Sequence, residues 1–187
     1  YRVPNIVLVI GESDNKHHSQ LYGYEKETTP YQMMMAEEGS LIPFTDVVSS
    51  WNLTSFVFKH MLSLYAVGDS GEWCDKPLFP EVFRKAGYHV TFITNQFLPK
   101  AMEAVYDFSG NFFLNDPELS DRQFDVRNTQ TYRFDEGVLK AYVQSSTESG
   151  QWKGNLVILH LMGSHVDYRA RYIARSEERR VGKECRS

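Results

Sequence analysis

The stretch that decides the fold is residues 5–13, which read NIVLVIGES. Its apolar part, Ile6–Ile10, has five residues and is the longest unbroken apolar run in the chain. A run of aliphatic and β-branched side chains without polar alternation favours a strand buried on both faces, as in a parallel sheet covered by helices. Gly11 follows the run and lets the backbone turn sharply, so we expect Glu12 to stand just beyond the end of the strand.

Two further apolar runs, residues 90–93 and 156–161, have the same character. Apolar residues at helical spacing occur in residues 54–64, 77–86 and 132–143. Strands that alternate with helices of this length predict an α/β fold, with a mostly parallel sheet and helices on both faces. We expect the three runs to be adjacent parallel strands, because a helical crossover separates each pair. A fourth candidate strand, residues 41–48, contains Pro43 and is expected at an edge.

The composition is that of an ordinary globular domain, with 42% hydrophobic and 24% charged residues among 187. The chain has 20 basic and 24 acidic residues and a formal net charge of −4, so it lacks the basic field that holds nucleic acid. No apolar run approaches the roughly 20 residues of a membrane-spanning helix. Nucleic acid is therefore not an expected partner.

The candidate site residues stand after the predicted strands: Glu12 after the first, Asn95 and Gln96 after the second, and His165 after the third. In open α/β sheets, ligands bind beyond the carboxyl ends of the strands, which is where these side chains are expected. Each has a structural alternative, because an acid there can cap a helix and an amide there can cap a turn. The pattern alone indicates a site without naming its chemistry.

Thr54 precedes an apolar segment of helical spacing, and two interpretations stay open from spacing alone. In the first, its side chain caps the N-terminus of a helix. In the second, its hydroxyl carries a phosphoryl group, which the unpaired N–H groups and the positive end of the helix dipole would stabilise.

Seven short motifs occur in one order along the chain, beginning with NIVLVIGES at residues 5–13. They continue with LYGY, TTP, VVSS, AGY, ITNQ and HLMGSH, at residues 21–24, 28–30, 47–50, 86–88, 93–96 and 160–165. The ordered set resembles the opening of the catalytic domain of bacterial phosphoethanolamine transferases, a sulfatase-like branch of the alkaline-phosphatase superfamily. The resemblance covers residues 1–172 and ends near YRARY at residues 168–172.

The resemblance implies a role for each candidate residue. Glu12 corresponds to the family's first zinc carboxylate, and Thr54 to the threonine that binds the zinc and takes up phosphoethanolamine covalently. Asn95, Gln96 and His165 correspond to positions that hold the head group and phosphate of the donor. Zinc is thus the implied cofactor, since metal coordination makes a threonine hydroxyl a competent nucleophile. The family's remaining zinc ligands, an Asp-His pair, lie downstream of the Gly-Ser-His segment and are expected beyond the end of this chain.

The activity that the resemblance implies is the transfer of phosphoethanolamine from phosphatidylethanolamine to an envelope lipopolysaccharide or glycan, through a phosphorylated Thr54. The expected setting is the bacterial inner membrane, with a preceding membrane-spanning region and the catalytic domain facing the periplasm. On this view the chain is an N-terminal half-domain that is inactive alone. The alternatives are another sulfatase-like phosphotransferase or hydrolase, such as a phosphoglycerol transferase, or a non-catalytic domain of the same fold. A sulfatase is less favoured, because no Cys/Ser-x-Pro-x-Arg motif surrounds Thr54.

The composition changes at the end of the chain. From Ala174 onward the residues are almost all polar or charged, and Val181 and Cys185 are the only larger apolar side chains. Such a segment has little apolar surface to bury against a domain. We therefore expect residues 1–172 to form a partial catalytic domain and residues 173–187 to be a foreign or disordered tail.

Overall fold

The computed structural model describes residues 3–96, 116–145, 153–165 and 168–171, and the chain divides into two compact units. The larger unit holds residues 1–12 and 50–187, and the smaller one holds residues 13–49. The expected tail, residues 173–187, lies outside the described residues and stays a prediction.

The described part of the larger unit is built on a four-stranded sheet. Its strands are β1 (Ile6–Ile10), β2 (Tyr88–Thr94), β3 (Val126–Arg127) and β4 (Gly154–His160). Their order in the sheet is β1-β4-β2-β3. Every neighbouring pair is parallel. The prediction that the three apolar runs form adjacent parallel strands is confirmed, and β4 is the central one.

The register of this sheet brings the carboxyl ends of three strands together. Ile10 of β1 and Thr94 of β2 both pair with His160 of β4. The segments that follow these residues therefore leave the sheet side by side, at the edge where parallel α/β sheets bind their ligands.

Helices cover both faces of the sheet. On one face lie α2 (Thr54–Leu62) and α3 (Phe79–Lys85), and on the other lies α5 (Glu136–Ser145). The first core contains Phe58, Leu62, Leu78, Val90, Phe92, Phe124, Leu156 and Ile158, and the second contains Ile93, Val138, Val157 and Leu159. Side chains that alternate along β2 and β4 thus enter two separate cores, which confirms the predicted α/β fold.

The helices differ from their predicted bounds at the ends. Residues 54–64 are helical only over Thr54–Leu62, and residues 77–86 only over Phe79–Lys85, with Pro80 in the first turn. The helix predicted over residues 132–143 begins at Glu136. A further helix, α4 (Pro117–Gln123), was not predicted and is capped by the Asp116 side chain.

The fourth predicted strand, residues 41–48, is wrong, because no strand forms there. Pro43 has no N–H to give to a strand ladder, and the neighbouring Ile42 and Phe44 are exposed. The described sheet has two edge strands, β1 and β3. Val7 and Val9 of β1 are exposed, so the expectation that the first apolar run is buried on both faces is wrong for the described residues. With two residues, β3 is too short to leave a periodic signal in the sequence.

The smaller unit contains α1 (Pro30–Glu37) and two short 3-10 turns, Lys16–His18 and Gln20–Tyr22. Thr29 precedes α1, and its hydroxyl oxygen accepts the N–H of Leu21 at 3.1 Å. Across the described parts of both units, no helix is long and apolar enough to cross a membrane.

Candidate active site

A carboxylate and a hydroxyl meet where β1 ends. Thr54 Oγ1 donates a 2.8 Å hydrogen bond to Glu12 Oε2. Thr54 is the first residue of α2, and the N-cap of that helix is Leu53, which makes no side-chain cap bond. The hydroxyl therefore does not cap its own helix, and the capping interpretation of Thr54 is wrong.

Gln96 joins this pair from the end of β2. Its Nε2 donates to Glu12 Oε2 at 3.2 Å and to the carbonyl oxygen of Leu161 at 2.9 Å. The amide thus ties the segment after β2 to the segments after β1 and β4. Three of the predicted site residues, Glu12, Thr54 and Gln96, are in contact.

Glu12 is held in its charged form. Burial raises the pKa of this carboxyl, but its interactions with His160, Thr54 and Gln96 outweigh burial, and the pKa falls to about 2. At neutral pH the group is a carboxylate, which is the form that binds a metal ion.

His160, the last residue of β4, is fully buried next to this carboxylate. Its Nδ1 lies 2.9 Å from Thr94 Oγ1, and its Nε2 lies 4.0 Å from Glu12 Oε2. Phe58 of α2 packs against the imidazole with ring centroids 4.7 Å apart. Burial lowers the pKa of His160 below its ordinary value, and this effect outweighs the interactions with Glu12 and Asp135, which act to raise the pKa. The histidine therefore connects the apolar core to the Glu12 carboxylate.

A tight turn after β4 contacts the backbone of Glu12. Gly163 has a φ of +54°, and a Cβ atom there would lie 2.6 Å from the carbonyl oxygen of Glu12. The N–H of Ser164 donates to that oxygen at 3.2 Å, and the N–H of His165 donates to the carbonyl oxygen of Met162 at 3.1 Å. Only glycine fits this close approach, and the turn places the half-buried His165 after it.

Asn95 is placed differently from its neighbour Gln96. It is 1% exposed, and its side chain bonds to the protein itself. The N–H of Tyr132 donates to Asn95 Oδ1 at 2.7 Å, and Asn95 Nδ2 donates to Asp135 Oδ1 at 2.8 Å. Its contact with substrate stays a prediction, and in the described structure the side chain is buried and bonded to the protein through both of its polar atoms.

The distance between the Glu12 and Thr54 side chains allows both to contact one metal ion, and their role as zinc ligands stays a prediction. Glu12 Oε2 and Thr54 Oγ1 are 2.8 Å apart. One zinc ion at about 2 Å from each oxygen can therefore touch both. Among the residues that the structure describes, no three His, Cys, Asp or Glu side chains converge to hold a metal ion. The pair can supply two ligands to a zinc ion, and the described residues do not complete a cluster of three such side chains around it.

Comparison with known proteins decides the family. The family model for sulfatases matches residues 4–184 of this chain. The chain belongs to the sulfatase family.

Two curated proteins that are similar to this chain come from bacteria. Phosphoethanolamine transferase EptC of Escherichia coli strain K12 is 30% identical over 171 residues, which are 89% of this chain and 28% of the relative. Phosphoethanolamine transferase CptA of Salmonella typhimurium is 29% identical over the same shares. The chain thus spans little more than a quarter of the length of these relatives.

Solved structures show the same likeness. The C-terminal periplasmic domain of EptC from Escherichia coli superposes with a TM-score of 0.73 at 28% identity, over 91% of this chain and 46% of that chain. The same domain in complex with zinc gives identical values. The soluble domain of lipooligosaccharide phosphoethanolamine transferase A from Neisseria meningitidis shares the fold, with a TM-score of 0.66 at 24% identity over 94% and 50% of the two chains. The resemblance to phosphoethanolamine transferases is confirmed.

Two residues of the candidate site were not predicted from the sequence. His160 ends an apolar run, and the run alone does not show that its last side chain faces a carboxylate. Asp135 immediately precedes α5, where an acid is ordinarily a helix cap. A polar residue that closes a buried strand was the one local signal available for His160.

Proposed function

We propose that the full-length protein carrying this chain is a zinc-dependent phosphoethanolamine transferase. It would move phosphoethanolamine from phosphatidylethanolamine to a lipopolysaccharide or other glycan of the bacterial envelope. The observation that carries the proposal is the 2.8 Å contact between the Thr54 hydroxyl and the Glu12 carboxylate at the start of α2. A hydroxyl held on a charged carboxylate, in a fold similar to that of EptC, suits a metal-assisted nucleophile.

Thr54 is the proposed nucleophile. A free threonine hydroxyl is a weak nucleophile, and zinc, when bound by Glu12 and Thr54, lowers the pKa of that hydroxyl. Thr54 opens the nine-residue helix α2, so the positive end of the helix dipole favours a transferred anion on its oxygen.

The reaction takes two displacement steps at phosphorus. In the first, Thr54 Oγ1 forms a bond to the phosphorus of phosphatidylethanolamine, and the bond from phosphorus to the diacylglycerol oxygen breaks. Thr54 gives up its hydroxyl proton, and diacylglycerol takes up a proton and leaves as an alcohol. In the second, a hydroxyl of the acceptor replaces Thr54 at phosphorus, and Thr54 regains its proton.

Gln96 and His165 are the proposed contacts to the donor, with Asn95 as a third. The Gln96 amide is beside Glu12 and is fixed by the carbonyl oxygen of Leu161. His165 follows the turn that packs on the Glu12 backbone, and an N–H of its imidazole would donate a hydrogen bond to the donor's phosphate.

The proposed setting is the inner membrane, with the catalytic domain on the periplasmic side. Support comes from the EptC domain of Escherichia coli, which is described as C-terminal and periplasmic and is 28% identical to this chain. The donor and the acceptor class are proposed from the family resemblance. Sulfate-ester hydrolysis is not proposed, because residues 54–58 read TSFVF and lack the Cys/Ser-x-Pro-x-Arg motif of sulfatases.

The proposal is tested in the full-length protein with fluorescent phosphatidylethanolamine as donor. Thr54→Ala should abolish both diacylglycerol release and the covalent phosphoethanolamine adduct that mass spectrometry maps to the peptide containing Thr54. Thr54→Ser should retain part of both, because it keeps a hydroxyl. Ser55→Ala is the matched control, since it removes the neighbouring buried hydroxyl and should leave the adduct in place. Full activity of Thr54→Ala would overturn the proposal.

A further inference from the structure

The carboxylate of Asp135, which precedes α5, accepts hydrogen bonds from the segments that follow β2 and β4. Its Oδ1 accepts hydrogen bonds from Asn95 Nδ2 at 2.8 Å and from the N–H of Met162 at 2.9 Å. Its Oδ2 accepts the N–H of Gly163 at 2.8 Å. One side chain thus ties the end of β2 to both N–H groups at the start of the turn that follows β4.

The backbone of Asp135 is held at the start of α5, which packs on the sheet. The N–H of Val138 donates to the carbonyl oxygen of Asp135 at 3.0 Å, at the beginning of α5. Val138 is fully buried and packs with Ile93 of β2 and Leu159 of β4 in the second core. The position of the Asp135 carboxylate is therefore set by the packing of α5 on the sheet, and the turn is the part that it restrains.

The turn that Asp135 restrains carries two elements of the proposed site. Gly163 and Ser164 contact the carbonyl oxygen of Glu12, the first by close approach and the second by a 3.2 Å hydrogen bond. His165, a proposed donor contact, is the next residue. A shift of the turn would therefore move His165 and release the backbone of Glu12 together.

We propose that Asp135 is a positioning residue for the candidate active site, which acts by holding the turn of residues 162–165 against Glu12. The chemistry demands a carboxylate, because three N–H donors converge on this side chain and an ionised carboxyl group accepts at both oxygens. An asparagine has one acceptor oxygen and would turn an NH₂ donor towards an N–H. The effect on catalysis rests on the proposed function, whereas the effect on the turn does not.

The experiment uses the full-length protein with Asp135→Asn and, as matched control, Asp125→Asn. Asp125 is also a partly buried carboxylate that accepts a backbone N–H, from Val90 at 2.8 Å, and it pairs with Arg84 at 2.7 Å. Hydrogen exchange followed by mass spectrometry reports on the amides of Met162 and Gly163. Where Asp135→Asn does not fold, Asp135→Ser serves instead, because its short hydroxyl can rotate away from both amides.

Amide exchange in the turn should become at least tenfold faster in Asp135→Asn and stay unchanged in Asp125→Asn. Unchanged exchange in the Asp135 variant, or equal acceleration in the Asp125 variant, would overturn the inference. This readout needs no activity, so it stands apart from the outcome for Thr54→Ala.

A double-mutant cycle with His165→Ala tests the link to catalysis. Asp135→Asn should lower kcat/KM for the donor about tenfold in the wild-type background and less in the His165→Ala background, because the turn then has no imidazole to position. A role in general stability predicts equal losses in both backgrounds, and that result would contradict positioning through the turn.

Discussion

The Thr54 hydroxyl donates a 2.8 Å hydrogen bond to the Glu12 carboxylate, although the two residues are 42 positions apart in the chain. A different element of the fold positions each of the two residues. Glu12 follows β1, and α2 is anchored by its buried Phe58 and Leu62. The contact is thus a consequence of packing α2 on the sheet, and it makes the site sensitive to changes in the surrounding core and turns.

The stability of the metal-free protein should fall between about pH 4.5 and about pH 2 because of Glu12. The pKa of this group drops from its ordinary value of 4.5 to about 2 in the folded protein, so the folded state favours the deprotonated form. The stabilisation is complete above the unfolded pKa and is lost as pH falls through the folded one, and it amounts to at most about 3 kcal/mol. Urea denaturation down this pH range measures it. Glu12→Gln has no proton to take up there, and an equally steep decline in that variant would contradict the assignment.

Gly163→Ala should destabilise the protein by about 2–3 kcal/mol, since the added methyl group strains a positive φ and also meets Glu12. The control is Gly68→Ala, because Gly68 has a φ of +99° but open space around its Cβ position. It should show only the backbone penalty, about 1 kcal/mol. Thermal denaturation of both variants separates the two effects, and equal losses would mean that the contact with Glu12 does not constrain the turn.

Gln96→Leu should weaken zinc binding by the full-length protein roughly tenfold, because the Glu12 carboxylate loses a hydrogen bond that orients it. Calorimetric titration with zinc measures the change. Gln123→Leu provides the comparison, since Gln123 is 1% exposed and its Nε2 donates within α4 to the carbonyl oxygen of Leu119. An unaltered zinc affinity in Gln96→Leu would show that this amide does not orient Glu12.

Phe58→Ala should cost about 3–5 kcal/mol of unfolding free energy, because it opens a cavity between α2 and the sheet. Phe58 is 1% exposed and packs against both His160 and Phe92. Leu139→Ala on α5 is the contrast, since Leu139 is 53% exposed and its loss should cost well under about 1 kcal/mol. Similar losses in the two variants would contradict the placement of the core.

The strands of the central sheet could be predicted because their signal is local. The run at Ile6–Ile10 and the run within Gly154–His160 are both apolar without alternation, and β4 is buried on both faces as that pattern predicts. Only one face of β1 is covered in the described structure, since Val7 and Val9 are exposed. β3 could not be predicted in this way, since two residues that pair at an edge carry no pattern. The prediction of a strand at residues 41–48 was wrong, because apolar composition around Pro43 does not by itself provide a neighbouring strand to pair with.

The sequence by itself determined the α/β class, the order of the strands along the chain and the positions of Glu12, Thr54 and Gln96 at segment ends. Those are properties of short segments, which backbone propensity and side-chain periodicity dictate. Only the tertiary structure decided that Thr54 bonds to Glu12 rather than capping its helix, and that Asn95 turns to Asp135 while Gln96 turns to Glu12. Hydrogen-bond partners are chosen by which distant segments packing brings within about 3 Å, and no local pattern contains that distance.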